Sequence, residues 1–159
     1  STAIHMVQRG IIRLLQMFPQ DGIQQPDVVE FNKQMTDEYL FIRDFVIMHY
    51  HVTRREDTAF WRHCKNMAIP DSLQHRLALF KQTGRVFQQA GDVFSENNWV
   101  QVMLGQGLMP EQYHPIVDIM SDQELENFLT SLKARADNIV SQLPSHQQFI
   151  AKYCKAKAV

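Results

Sequence analysis

The 159-residue sequence has few cysteines, almost no net charge and no long apolar run. Its two cysteines, Cys64 and Cys154, lie far apart without a CxxC pair, which fits a reducing compartment better than a disulfide scaffold. Sixteen basic residues against seventeen acidic ones give a formal charge of −1, so no net field attracts nucleic acid or an anionic membrane. No signal peptide or membrane-spanning segment is recognisable. These absences favour one cytoplasmic domain that binds neither nucleic acid nor membrane.

Helical spacing of apolar residues dominates the rest of the sequence, and no stretch has a convincing strand pattern or repeat. Prolines, glycines and caps such as Ser121, with Glu124 three residues later, divide the pattern into segments. The apolar stripe of the longest helix is expected to contain Val28, Phe31, Met35, Tyr39, Ile42, Val46 and His49. The expected helices cover residues 4–18, 27–49, 58–64, 70–84, 95–105, 121–143 and 145–153. The sequence therefore predicts an all-α fold, an irregular bundle of about six to seven helices.

The chain opens on Ser1 and Thr2, without an initiator Met, directly before the first amphipathic helix. We expect the start of a helix here rather than the start of a protein. Ser and Thr cap helices, and the backbone N–H groups behind them stand at the positive end of the helix dipole. The first residues are therefore a candidate anion site.

Histidine and cysteine chemistry finds little support in the spacing. His49 and His51 are the closest pair among seven histidines, yet residues two apart on a helix point to different sides, so no metal site is predicted. Cys64 and Cys154 fall on apolar helical faces without a basic partner nearby in sequence. Buried structural thiols are therefore favoured over nucleophiles.

Two further segments stand out, TRREDTAFW at residues 53–61 and GQGLMP at residues 105–110. The first is best explained as a turn of exposed ion pairs and caps, with Phe60 and Trp61 entering the core, rather than as a binding site. The second has too few glycines and no following Lys-Ser/Thr for a phosphate loop. A glycine turn where helices approach closely is the simpler interpretation of this second segment.

Together with RDFVIMHY at residues 43–50 and LPSHQQFI at residues 143–150, these segments resemble the C-terminal part of the flavin-dependent tryptophan halogenases. Their order and spacing match across nearly the whole chain. In that family a Glu-Ser-Thr-Gly-Ile segment leads into a helix, and residues 1–4 look like its remainder, with Ala3 in place of the glycine. The resemblance implies that residues 1–159 are the helical, substrate-side domain of a larger enzyme. The flavin-binding domain, the catalytic lysine and the glutamate would lie upstream.

The resemblance also implies a chemistry and its partners. In the family, reduced FAD and oxygen yield a flavin hydroperoxide, and bound chloride or bromide attacks it. The resulting hypohalous acid then reaches an aromatic substrate. A separate flavin reductase supplies the reduced cofactor. By this resemblance Ser1 is a catalytic residue between flavin and substrate, and the backbone N–H groups of Thr2 and Ala3 bind the halide. Ile4 would face the isoalloxazine ring. Residues 1–159 alone are expected to be inactive.

The substrate region departs from enzymes that are specific for free tryptophan. Counting back from GQGLMP without gaps, Gln89 stands where those enzymes have a carboxylate for the substrate ammonium, while Phe94 keeps one aromatic surface. An unpaired buried ammonium is costly, so free tryptophan should bind poorly. We expect an indole-type or larger aromatic substrate, with Phe94 and Asn98 lining its pocket.

Two other functions fit the same sequence. A non-catalytic helical module that binds a protein partner through an exposed apolar face would also lack a flavin fingerprint. A related flavin monooxygenase would hydroxylate its substrate rather than halogenate it. The upstream lysine would distinguish halogenation from hydroxylation.

Overall fold

A computed structural model of the chain describes residues 2–88 and 92–154. Every regular element within these residues is helical, which confirms the all-α prediction. The α-helices are α1 (Thr2–Gln16), α2 (Gln25–His51), α3 (Ala59–Asn66), α4 (Asp71–Thr83), α5 (Glu96–Gln106), α6 (Asp122–Gln142) and α7 (His146–Phe149). A 3-10 turn covers Pro115–Ile119, and a wider π-helical turn, Ile150–Cys154, continues α7.

The chain divides into two compact units, residues 1–114 and residues 115–159. The first unit contains α1 to α5, and α2 is its central helix because each of the other four contacts it. The second unit contains the 3-10 turn, α6 and α7. Among the helices of the described ranges, none is both long enough and apolar enough to cross a membrane. All the residues that the sequence assigns to a site belong to the first unit.

Helices α1 and α2 run antiparallel and are joined by the short link 17–24. Arg9, in the middle of α1, contacts Glu38 of α2, and Arg13, one turn later in α1, contacts Gln34, one turn earlier in α2. Because the two helices run in opposite directions, the N-terminus of α1 lies beside the second half of α2.

The core of the first unit lies between the second half of α2 and helices α4 and α5. Its buried apolar residues are Phe45, Met48, Leu73, Phe80, Val86, Trp99 and Met103. The short helix α3 adds the buried Cys64. Burial of this many large side chains around α2 fixes the position of that helix.

The buried face of α2 coincides only in part with the predicted stripe. Ile42 is buried as expected, but Tyr39 and Val46 of the stripe are exposed. Phe45 and Met48 are buried in their place. The first half of α2 packs on α1 and the second half packs on α3 to α5, so the contact face turns along the helix. A single apolar period cannot follow such a turn.

The helix ends follow the cap chemistry that the sequence indicates. The Thr58 hydroxyl accepts a hydrogen bond from the Trp61 backbone N–H, and Ser121 and Glu124 form a reciprocal capping box. Helix α4 ends at Gly84, whose φ of +69° lies in the left-handed region that favours glycine. The predicted boundaries of these helices therefore hold to within one or two residues.

Cys154 and Phe60 are among the side chains that are more exposed than predicted. Cys64 is buried as expected, but Cys154 is exposed, because it belongs to a C-terminal unit whose described helices bury no residue. Phe60 is 56% exposed and does not enter the core. It packs instead at the surface, edge-on to Trp61 and Tyr50.

Gly107 joins the two conspicuous segments of the sequence. Its φ of +92° ends α5 in the left-handed conformation, so the glycine turn predicted in GQGLMP is at this residue. The guanidinium of Arg54, from TRREDTAFW, lies over the space that a β-carbon on Gly107 would occupy. The Arg54 Nε also donates a hydrogen bond to the Gln106 carbonyl oxygen at 3.0 Å. Glycine is therefore required twice at this position, for its φ and for its missing side chain.

Replacing Gly107 with alanine should lower the free energy of unfolding by about 1–2 kcal/mol, the cost of a left-handed φ in a residue with a β-carbon. Displacement of the Arg54 guanidinium would add to this loss. Urea denaturation followed by circular dichroism measures the change. Gly105→Ala is the matched control, because no described atom lies within 4 Å of the added β-carbon and alanine favours the interior of α5. An equal decrease in the free energy of unfolding of the two variants would contradict the requirement for glycine at residue 107.

The second unit is built on α6, which is amphipathic. Its larger apolar side chains are exposed in the described part of the chain, among them Phe128, Leu129, Leu132, Ile139 and Val140. The capping box at Ser121 and Glu124 begins the helix. The backbone and side-chain hydrogen bonds from Ser121 lower the pKa of Glu124, which stands at the positive end of the helix dipole.

Candidate functional site

A cleft of about 410 Å³ opens where the N-terminus of α1 meets the second half of α2. This aromatic cleft is lined by Thr2, Phe45, Val46, His49, Tyr50, Trp61 and Phe94. Thr2 and Phe94 are candidate residues from the sequence, the first for halide and the second for an aromatic substrate. The fold brings these two residues to one cleft although they lie near opposite ends of the first unit's sequence.

Phe45 supports one aromatic surface of the cleft. The ring of Phe94 stacks on Phe45 with 3.8 Å between the ring centroids, and Trp99 meets Phe45 edge-on at 4.9 Å. Because Trp99 is buried in the core, it fixes Phe45, and Phe45 in turn fixes Phe94. A ring held in this way presents a rigid, flat, apolar face.

Tyr50 and Trp61 form a second aromatic surface. Their rings are stacked, with 5.9 Å between centroids and 16° between planes. The Arg55 guanidinium lies 4.5 Å from the Trp61 ring centroid and pairs with Asp57 at 2.8 Å, and this hydrogen bond lowers the pKa of Asp57. The segment TRREDTAFW therefore forms the exposed ion-pair turn that was favoured for it. It also contributes the Trp61 ring to the cleft, a role that the sequence does not indicate.

The His49 side chain has a defined orientation in the wall of the aromatic cleft. Its Nδ1 lies 2.7 Å from the Phe45 carbonyl oxygen, and its ring meets the Phe45 ring edge-on at 4.8 Å. A carbonyl oxygen only accepts hydrogen bonds, so Nδ1 carries the proton. The Nε2 of the neutral ring is then an acceptor.

The N-terminus of α1 supplies the polar end of the aromatic cleft. The helix begins at Thr2, which is half-buried. Because these residues form the start of a helix, the backbone N–H groups of its first turn have no acceptor within the helix. Ala3, where the resemblance expects glycine, has a helical backbone without a positive φ, so its methyl group introduces no strain. Ser1, the predicted catalytic residue, lies outside the described residues.

Ile4 points away from α2 with the rest of an apolar stripe on α1. Its side chain is 64% exposed. Val7, Ile11 and Leu15 of this stripe are also exposed, as is Phe18 just beyond the end of α1. The predicted apolar periodicity of the first helix is confirmed, but within the described chain the apolar face of α1 is uncovered rather than part of the core.

A buried ion cluster attaches α1 to α2. The Glu38 carboxylate, 2% exposed, accepts hydrogen bonds from the Arg9 Nε at 3.0 Å and from the Arg13 guanidinium at 2.6 Å. Burial raises the pKa of Glu38, but the hydrogen bonds and charges of the two arginines lower it by more, so the pKa lies below its usual range. Apolar periodicity gives no sign of this cluster. The one signal in the sequence is the spacing of Arg9 and Arg13, which places both on one face of α1.

Asn98 takes part in a helix cap. Its side-chain oxygen accepts hydrogen bonds from the Ser95 backbone N–H and hydroxyl, both at 2.9 Å, and so completes the capping box of α5. It is exposed and lies one turn after Phe94, outside the residues that line the aromatic cleft. Its role toward a substrate stays a prediction. Gln89, the position compared with the family's carboxylate, lies outside the described residues.

The two neighbouring histidines make separate contacts. The Nδ1 of His49 faces the Phe45 carbonyl, whereas the Nδ1 of His51 lies 3.3 Å from the Cys64 carbonyl oxygen. In the part of the chain that the structure describes, no three His, Cys, Asp or Glu side chains come together as metal ligands would.

Comparison with known proteins gives consistent matches. The family model for tryptophan halogenase matches residues 1–122. A flavin-dependent halogenase from Xanthomonas campestris has 53% sequence identity and a TM-score of 0.93 over 98% of this chain and 31% of that one. The flavin-dependent halogenase BrvH from Brevundimonas sp. BAL3 has 36% identity and a TM-score of 0.90 over 95% of this chain and 31% of that one.

Curated sequences give the same result at greater distance. Tryptophan 7-halogenase RebH of Lentzea aerocolonigenes is 23% identical over 94% of this chain and 32% of its own length. Tryptophan 6-halogenase SttH of Streptomyces toxytricini is 24% identical over 95% of this chain and 29% of its own length. The chain thus spans about a third of the length of the relatives that it matches.

Proposed function

Because the chain belongs to the tryptophan halogenase family, we propose that it forms the helical, substrate-side domain of an FAD-dependent halogenase that chlorinates or brominates an indole-type aromatic substrate. The observation that carries this proposal is the aromatic cleft, in which the N-terminus of α1 and the rings of Phe45, Trp61 and Phe94 share one space. An anion at that terminus would stand beside a flat ring in the cleft. Halogen transfer to an aromatic carbon requires this proximity.

The residues present fit a halide. The first backbone N–H groups of α1 have no helical acceptor, and the helix dipole favours an anion at this end. We assign the halide to the N–H groups of Thr2 and Ala3 and the catalytic role between flavin and substrate to Ser1. No carboxylate is among the described residues that line the aromatic cleft, so none of them repels a bound anion.

FAD would receive only one edge of its site from this chain. Ile4, with its exposed apolar side chain, is the residue that we assign to the isoalloxazine ring, and the sequence contains no G-x-G-x-x-G fingerprint for the phosphates. We therefore assign FAD chiefly to an upstream flavin domain, with reduced cofactor from a separate flavin reductase. When bound, FAD supplies the oxygen activation that converts chloride or bromide into hypohalous acid. The exposed apolar stripe of α1 supports contact with such a domain.

The aromatic cleft would orient and select the substrate. Its volume of about 410 Å³ suits a small planar molecule, and the ring surfaces of Phe94 and of the Tyr50–Trp61 pair offer stacking contacts. The described lining residues include no acidic partner for an ammonium group. Indole-type substrates should therefore be preferred over free tryptophan, whose ammonium would be desolvated without a counter-charge.

The test uses the full-length enzyme that contains this chain, with reduced FAD, oxygen and either bromide or chloride. Indole, free tryptophan and larger indole derivatives are offered as substrates, and products are identified by mass spectrometry. We expect halogenated indole, with turnover of free tryptophan lower by about tenfold or more, as an unpaired charge implies.

Each result has a distinct meaning. Comparable turnover of tryptophan and indole would refute the substrate preference alone. A product that gains oxygen but no halogen would indicate the related flavin monooxygenase. Absence of any product from every aromatic would refute the enzyme and favour the non-catalytic helical module, for which the exposed apolar stripe of α1 is the supporting observation.

Replacing Phe94 with alanine should raise the KM for indole about fivefold to tenfold, because one stacking surface of roughly 1 kcal/mol is lost together with its apolar area. Steady-state kinetics at saturating halide measures the change. Phe87→Ala is the matched control, since Phe87 is an exposed phenylalanine that does not line the aromatic cleft. An unchanged KM in the Phe94 variant would remove Phe94 from the substrate site.

A further inference from the structure

The contact between α1 and α2 depends on polar groups, although α1 carries an apolar stripe. No residue of α1 is buried in the described chain, whereas the Glu38 carboxylate on the facing side of α2 is almost completely so. Arg9 and Arg13 both reach this carboxylate, and the Arg13 Nε also donates to the Gln34 side-chain oxygen at 3.1 Å. The ion cluster therefore determines how α1 lies on α2.

The cluster lies on the same face of α1 as the candidate halide end. Arg9 and Arg13 follow Thr2 by seven and eleven residues, which places each arginine within about 20° of Thr2 around an ideal helix. The apolar stripe that contains Ile4 and Ile11 lies on the opposite side. A rotation of α1 that moved the arginines away from Glu38 would turn Thr2 out of the aromatic cleft by the same angle.

The two helices approach closely at the cluster, which limits their freedom to slide. The Met35 methyl carbon lies 3.3 Å from the place of a β-carbon on Gly10, next to Arg9 in sequence. The Arg13 side chain is only 12% exposed and that of Glu38 only 2%, so both are shielded from water. A buried carboxylate that loses its cations is an uncompensated charge, which costs much free energy. Any shift of α1 that lengthens these hydrogen bonds is therefore unfavourable.

We infer that Glu38 is a positioning residue for the halide-binding end of α1. By holding Arg9 and Arg13, Glu38 fixes the rotation of α1 and its position along the helix axis. It thereby keeps the backbone N–H groups of Thr2 and Ala3 directed into the aromatic cleft. This inference rests on the proposed function, because the halide assigned to Thr2 and Ala3 is part of it. Glu38 itself touches neither halide nor substrate.

The test compares Glu38→Gln with Asp37→Asn in the full-length enzyme. Both changes neutralise one carboxylate of α2, but Asp37 is partly exposed and pairs only on the helix surface, with Lys33 four residues earlier. Glu38→Gln should raise the KM for bromide about fivefold or more while the KM for indole stays within about twofold, since misplacement of a binding group acts on the ligand that it binds. Asp37→Asn should change neither constant.

Hydrogen exchange measured by mass spectrometry gives a readout that does not depend on turnover. Backbone amides of residues 5–12, which are hydrogen-bonded within α1, should exchange faster in Glu38→Gln than in Asp37→Asn, with amides in α5 unchanged. Arg9→Gln is the second variant, because the half-exposed Arg9 can be replaced without burying a new group, and it should shift exchange in the same direction by a smaller amount. If Glu38→Gln does not fold, exchange in the Arg9 variant tests the positioning role.

The outcomes separate this inference from the function on which it rests. Exchange of residues 5–12 as slow as in Asp37→Asn would overturn the positioning role, whatever the kinetics. An equal rise of the KM values for bromide and indole would overturn it as well, because general loosening of the domain produces that pattern. Absence of halogenation in the unmodified enzyme would refute the proposed function, while the exchange experiment would still decide the positioning of α1.

Discussion

Replacing Trp99 with alanine should lower the free energy of unfolding by about 3–5 kcal/mol, the usual cost of removing a large buried aromatic side chain. Trp99 is 1% exposed and lies in the core between α2, α4 and α5. It also supports Phe45, on which Phe94 stacks, so the loss should extend to the aromatic cleft. Urea denaturation gives the stability, and the KM for indole in the full-length enzyme gives the effect on the cleft.

Two companion variants identify the part of Trp99 that matters. Trp99→Phe should cost much less, because the indole Nε1–H has no acceptor among the residues that the structure describes and its removal loses no hydrogen bond. Trp61→Ala removes an identical side chain from a partly exposed position and should destabilise the chain less. A loss at Trp99 no larger than the loss at Trp61 would contradict the placement of Trp99 in the core.

Replacing Arg76 with alanine should cost about 3 kcal/mol or more, because it removes the cation of a buried ion pair. The Arg76 guanidinium lies 3.2 Å from a carboxylate oxygen of Asp92 and 4.2 Å from the ring centroid of Trp99. Its side chain is 10% exposed and that of Asp92 is 2% exposed. Arg76→Lys should be intermediate, because an ammonium keeps the charge but cannot lie flat on the ring.

The chain contains a matched control for Arg76. Arg55 also pairs with an aspartate, Asp57, and also lies over a tryptophan ring, Trp61, but in solvent. Water and salt weaken such an exposed pair, so Arg55→Ala should change the stability little. Urea denaturation of both variants at the same salt concentration makes the comparison. Similar losses would show that burial does not set the strength of the Arg76 contacts.

The sequence predicts those parts of the fold that depend on neighbours along the chain. Caps at Thr58 and Ser121 and the glycine end of α4 at Gly84 are local events, and they occur where expected. The predicted buried face of α2 is wrong at Tyr39 and Val46 because the positions of the four helices that contact α2 decide which of its residues are buried. Apolar periodicity describes one helix and its surroundings as if they were uniform along its length.

In the candidate site, too, the features that depend on residues distant in sequence are the ones that the sequence does not predict. Resemblance to a family indicated Thr2 and Phe94, and the fold brings both to the aromatic cleft. The ion cluster at Glu38 escaped prediction because burial of a charged residue depends on partners far away in sequence. Trp61 was assigned to the core because a large aromatic side chain is usually buried. In the structure it lies partly exposed beside Tyr50 instead.

The antiparallel pair of α1 and α2 also bears on the order of events during synthesis. The two helices are neighbours in sequence and are joined by a short link, so their contacts close only a small loop. The hydrogen bond of Arg54 to the Gln106 carbonyl closes a much longer loop. A growing chain can therefore complete the α1–α2 hairpin as soon as α2 has emerged. The ion cluster that orients α1 would then already exist while α4 and α5 are still being made.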